Sequence, residues 1–207
     1  MKEANYIALE GNIGVGKTEL AMMLAEKLDA RLILENPEEN PFLIDFYKDK
    51  ERYAFQTQVF FLLSRFKKQE ELFEHDLFLK KIVQDFYFGK DKIFASLNLD
   101  EREYRLYEKI FPILEKNIPQ PDLVIYLQSP PEGLYKKLKQ KGDLNFGYDY
   151  FLALNEAYNR FFFHYDKTPL LVLNMDNFDF KNEPSHLEKL LELLKKPFPG
   201  TKYYTHR

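Results

Sequence analysis

Tyr6-Ile7-Ala8-Leu9-Glu10-Gly11-Asn12-Ile13-Gly14-Val15-Gly16-Lys17-Thr18 decides the fold. Its first four residues are an apolar run, and Gly11 to Thr18 satisfy the spacing G-x-x-x-x-G-K-[ST]. Leu20, Ala21, Leu24, Ala25 and Leu28 then follow at helical spacing. Strand, glycine-rich loop and helix form a frame in which backbone N–H groups face phosphate oxygens and the helix N-terminus adds partial positive charge. Gly11, Asn12, Ile13, Gly14, Val15, Gly16, Lys17 and Thr18 are the expected nucleotide-binding residues. Lys17 is expected to reach the β- and γ-phosphates, and the Thr18 hydroxyl to ligate Mg2+. A chance glycine turn ahead of a helix is the bland alternative, and four fixed positions in the right frame argue against it.

Outward from this loop, Arg31-Leu32-Ile33-Leu34 is a second strand that closes at Glu35, just before Asn36-Pro37 turns the chain out of helix. Residues 52–74 predict a long, mostly buried helix with Phe55, Val59, Leu62, Leu63 and Phe66 along one face. Leu79 to Val83 predicts a strand ending at Asp85. Tyr107, Ile110, Phe111 and Leu114 predict a helix that Pro112 kinks or opens. Leu123 to Leu127 and Leu170 to Leu173 are unbroken apolar runs of the kind found in central parallel strands. Helices are expected over 134–141, 150–163 and around Leu187 to Leu194. The alternation implies an α/β fold, a P-loop NTPase-type parallel sheet wrapped by helices, with residues 1–207 as one domain.

Composition narrows the function classes. A net charge of −3 gives no global field to hold a nucleic acid polymer or an anionic membrane, so phosphate is expected to be bound locally. The chain has no cysteine, which excludes disulfides and thiol chemistry. No signal-like apolar core and no bilayer-length apolar run occur, so a cytoplasmic location is expected. His75, His164, His186 and His206 lack metal-ligand spacing.

The order of Glu35, then Phe46 to Tyr53, then Phe55-Gln56-Thr57-Gln58 and Leu62-Leu63-Ser64-Arg65, resembles the deoxynucleoside kinase family from Ile7 to about Phe180. The resemblance implies ATP as phosphate donor and Glu35 as the general base on the nucleoside 5′-hydroxyl. Gln58 matches a glutamine that reads the base, and Arg65 with Asp91 an arginine–aspartate pair beside it. Phe94 matches an aromatic packed on the base, Tyr47 a tyrosine on the sugar 3′-hydroxyl, and Asp85 the acid closing the third strand. Lys137, Lys139 and Lys141 fall in the family's phosphate-closing lid, near 137–147, and Asn174 to Phe180 in its adenine loop. The resemblance also implies a homodimer built on long helices.

Two positions depart from the family pattern, and both remove arginine. Phe86 stands where an arginine usually follows the third-strand acid, and the lid reads Lys141-Gly142-Asp143. Lys90, Lys92 and Arg52 are the nearby cations that could compensate. The leading expectation is a kinase acting on a purine deoxynucleoside or deoxycytidine. The alternatives are a nucleoside monophosphate kinase, for which acceptor-phosphate arginines are scarce, and a nucleotide-binding regulatory protein without kinase chemistry.

Overall fold

In a computed structural model that describes residues 4–75, 81–142 and 145–205, six strands form one parallel sheet in the order β2-β3-β1-β4-β5-β6. They are β1 (Tyr6–Gly11), β2 (Arg31–Ile33), β3 (Ile82–Gln84), β4 (Leu123–Gln128), β5 (Leu170–Asn174) and β6 (Thr201–Tyr204). The helices are α1 (Lys17–Leu28), α2 (Leu43–Lys48), α3 (Lys50–His75), α4 (Asp91–Asn98), α5 (Glu101–Glu115), α6 (Pro131–Lys141), α7 (Tyr148–Phe163) and α8 (Pro184–Leu194).

The apolar runs of β1, β4 and β5 feed two cores because successive side chains leave opposite faces of a strand. Ile7, Leu9, Ile125 and Leu171 pack with Leu20 and Leu24 of α1 and Leu190 of α8. Ala8, Val124, Tyr126 and Val172 pack on the other face with Leu154, Tyr158 and Phe162 of α7. A third cluster joins Leu62 of α3 to Ala95 of α4 and to Tyr107 and Phe111 of α5.

Several expectations are corrected. The third strand is Ile82–Gln84, shorter than predicted, and Leu79 lies outside the described residues. Pro112 neither opens α5 nor lies in its first turn, because the helix begins at an Asp100–Glu103 capping box and carries the proline near its C-terminal end. Leu63 is 49% exposed, because the face of α3 that turns inward carries polar groups: Thr57, Gln58, Arg65 and Gln69 are buried with Ala54 and Leu62. The tail forms β6, an edge strand whose half-buried Lys202 and Tyr204 alternate with exposed residues. The second strand pairs with β3, which in turn pairs with the P-loop strand β1.

Candidate active site

The carboxyl ends of β1, β3 and β2 bring the P-loop, Asp85 and Glu35 together. Gly14 (φ 76°) and Gly16 (φ 101°) hold the loop in the left-handed region that side chains disfavour. The Gly11 N–H donates to Glu10 Oε1 (2.9 Å) and the Ile13 N–H to Asn12 Oδ1 (2.8 Å), so these two N–H groups are committed within the loop. The Asn12 side chain also donates to Asn155 of α7 (3.2 Å), fixing the loop from behind. Among the described residues no partner engages the Gly14 or Gly16 N–H, and the first-turn N–H groups of α1 have no acceptor within their own helix. These N–H groups are available to an acceptor such as a phosphate oxygen. Lys17 Nζ donates to the Gly11 and Asn12 carbonyls (2.7 and 3.1 Å). Burial lowers the Lys17 pKa and neighbouring Glu10 opposes that shift.

Asp85, 3% exposed, accepts from the Thr18 hydroxyl (2.6 Å) and from the Glu35 N–H (2.7 Å). Its buried carboxylate against a hydroxyl is an oxygen set suited to Mg2+, which takes one or two protein oxygens together with substrate phosphates. Among the described residues no three His, Cys, Asp or Glu side chains converge as an all-protein metal cage.

Glu35 is held from both sides. Arg65 Nε donates to its Oε1 (2.6 Å) and Lys90 Nζ to its Oε2 (2.5 Å). Burial opposes ionisation of Glu35, but Arg65 and Lys90 outweigh it and hold the carboxyl far below the usual range. Arg65 also pairs with Asp91, whose Oδ1 accepts from Gln58 Nε2 (2.6 Å). Burial raises the Asp91 pKa despite that arginine. Asp91 thus lies behind Gln58 and Arg65 as their anchor, outside the cavity lining.

A cavity of about 310 Å³ joins these groups. Lys17, Thr18, Glu35, Asp85 and Lys90 line it together with Tyr47, Gln58, Phe61, Phe94 and Tyr150. A second cleft of about 680 Å³ runs from Gly14, Val15 and Gly16 to Lys137, Lys141 and the segment Met175 to Phe180. Lys139 is exposed and outside that lining, and Asp143 lies outside the described residues. The two openings share Gly14 in their lining, and the second also carries Lys137 and Lys141.

The sequence model of deoxynucleoside kinases matches residues 7–198. This chain belongs to the deoxynucleoside kinase family. It is 37% identical to a deoxyguanosine kinase of Bacillus subtilis over 145 residues, covering 69% of each chain. It is 30% identical to a deoxyadenosine/deoxycytidine kinase of the same organism over 199 residues, covering 91% of this chain and 90% of that one. A solved deoxyadenosine kinase from M. mycoides with bound dCTP superposes with a TM-score of 0.78 at 25% identity, covering 91% of this chain and 97% of that one. Deoxynucleoside kinases are ATP-dependent phosphotransferases, so the non-enzyme alternative is not favoured.

Within that family frame, sequence reasoning missed Glu10. It is fully buried and accepts from the Gly11 and Tyr87 N–H groups (both 2.9 Å) and from the Tyr158 hydroxyl (3.0 Å). An acid ending an apolar strand was the available signal. The Tyr158 and Tyr150 contributions were not legible, since both sit in an aromatic helix pattern that reads as core.

Proposed function

We propose that this chain transfers the ATP γ-phosphate to the 5′-hydroxyl of a purine deoxynucleoside or deoxycytidine. The carrying observation is one cavity lined by Lys17, Thr18 and Glu35 together with Gln58 and Phe94. ATP would lie along the second cleft with its phosphates on the P-loop, and Lys137 and Lys141 would approach from the lid. Thr18 and Asp85 would hold Mg2+, which supplies charge neutralisation between the β- and γ-phosphates. Glu35, ionised, would accept the 5′-hydroxyl proton as the oxygen attacks phosphorus. Tyr47 would meet the sugar, and Phe94 would pack on the base.

The base preference follows from how Gln58 is oriented. Its amide nitrogen is committed to the Asp91 carboxylate and main-chain carbonyl (2.6 and 3.0 Å), which leaves Oε1 as an acceptor. Adenine, guanine and cytosine carry an exocyclic amine to donate to it, whereas thymine offers only a ring N–H. A buried acceptor left unpaired costs about 1–3 kcal/mol, roughly 5- to 150-fold in kcat/KM. Initial rates with ATP and the four deoxynucleosides test this, and a thymidine preference would contradict it.

A cytoplasmic homodimer completes the proposal. Leu63 on α3 and Leu106 and Ile113 on α5 are exposed on two helices that pack together, and a second copy of the chain would cover them. Among the described residues no helix is long and apolar enough to cross a membrane, and the composition has no cysteine.

A further inference from the structure

Phe86 takes a guanidinium away from the phosphoryl-transfer end of the site, and the structure indicates where charge is returned. The Phe86 ring is fully buried and does not line the cavity. Of the three cations near enough in sequence, two are committed elsewhere. Lys92 is 40% exposed, pairs with Glu115 (3.6 Å) and lies over the Phe111 ring. Arg52 is exposed beside Tyr53 and does not line the cavity.

Lys90 is different. Its side chain is 4% exposed, lines the cavity, and places Nζ 2.5 Å from Glu35 and 3.8 Å from Glu10. The turn before α4 is built to deliver it. The Tyr87 N–H is tied to Glu10 (2.9 Å), and the Lys90 N–H donates to the Tyr87 carbonyl (3.1 Å). Gly89 lies so close on the Tyr87 ring that a Cβ would come within 2.4 Å of it. A buried lysine held by carboxylates at the reacting end of a cavity is a costly arrangement to keep without a task.

We propose that Lys90 is the cation that positions Glu35 and meets the transferring phosphoryl group, in place of the arginine missing at Phe86. The proposal rests on the kinase function above. In the step, the O5′–phosphorus bond forms as the hydroxyl proton passes to Glu35. The bond from γ-phosphorus to the bridging oxygen breaks, and its electron pair leaves on ADP. Glu35 is neutralised as it takes the proton, so the Lys90 charge beside it becomes available to the phosphoryl oxygens when they need it. An ammonium has three donors and can bond carboxylate and phosphoryl oxygen together. It is a point charge without the guanidinium fork, so the two residues are equivalent in charge and not in geometry.

The test compares wild type, Lys90→Gln, Lys90→Arg and the exposed control Lys92→Gln, with ATP and deoxynucleoside binding measured by calorimetry. Expected is a kcat loss of about 10²–10³-fold for Lys90→Gln, the scale of one lost electrostatic stabiliser. Its nucleoside KM and ATP Kd should stay within about threefold, Lys90→Arg should recover most of the rate, and Lys92→Gln should match wild type. Where Lys90→Gln does not fold, Lys90→Met preserves the apolar stem and is measured instead. An active wild type with an equally active Lys90→Gln or Lys90→Met overturns the proposal alone. So does a variant that loses ligand binding and rate together, which marks a structural lysine. A wild type inactive on every deoxynucleoside overturns the kinase function and the proposal with it.

Discussion

Glu35 shares its two oxygens between Arg65 and Lys90, whereas Lys17 hydrogen-bonds the loop's own Gly11 and Asn12 carbonyls, so the two proposed roles rest on different hydrogen bonds. Removing the Lys17 ammonium should therefore weaken ATP without disturbing nucleoside binding. For Lys17→Ala, calorimetry should show a clear loss of ATP affinity at unchanged nucleoside Kd, and an unchanged ATP Kd would remove Lys17 from the phosphate site. Glu35 also predicts a pH dependence of stability. Its unfolded pKa is about 4.3 and its folded value is depressed, mainly by Arg65 and then Lys90, which together outweigh the opposing effect of burial. The stability it contributes is thus complete above the unfolded pKa and is lost as pH falls below about 4 toward the folded value. Urea midpoints of Glu35→Gln and wild type should differ by a constant amount from pH 5 to 8 and converge in more acid solution. A difference that grows below pH 4 would contradict the pairing.

The helix α3 shows why an element can be legible when its orientation is not. Its length was readable, but the stripe it turns inward is Thr57, Gln58, Leu62, Arg65 and Gln69. A polar stripe reads as solvent-facing in an amphipathic pattern, and it is buried here because each polar member has a partner: the Phe42 carbonyl for Thr57, Asp91 for Gln58, Glu35 and Asp91 for Arg65, and Tyr6 and Gln84 for Gln69. Such pairings link residues tens of positions apart and leave no mark in local periodicity. The start of α5 was legible in principle. Asp100 accepts from the Arg102 and Glu103 N–H groups, and the Glu103 side chain accepts from Asp100 N–H. Asp100→Ala should cost about 1 kcal/mol of stability, measured by urea unfolding, with kcat/KM unchanged. A loss of activity at full stability would mean that the α4–α5 junction reaches the site.

The whole molecule follows from a few sequence features and one topological fact they do not contain. Continuous apolar runs in β1, β4 and β5 announce strands covered on both faces, and the P-loop fixes which end of the sheet carries phosphate. The insertion of β3 between β1 and β2 is set by long-range pairing, and it is what places Asp85 between Thr18 and Glu35. The short strands β2 and β3 were legible as apolar runs, whereas the edge strand β6, with exposed and half-buried residues alternating over four positions, gave no such run. Because Glu35, P-loop residues and the Gln58 amide line one cavity, a single chemistry is expected of the molecule. The direct measurement is single-turnover reaction of wild type and Glu35→Gln with ATP, Mg2+ and deoxyadenosine, deoxyguanosine or deoxycytidine, with products resolved by 31P NMR. Wild type should form the deoxynucleoside 5′-monophosphate and ADP in equal amounts, and Glu35→Gln should bind ATP and react at least about 10²-fold more slowly. ADP formed without a nucleoside monophosphate, or equal rates for the two proteins, would contradict the assignment of this site.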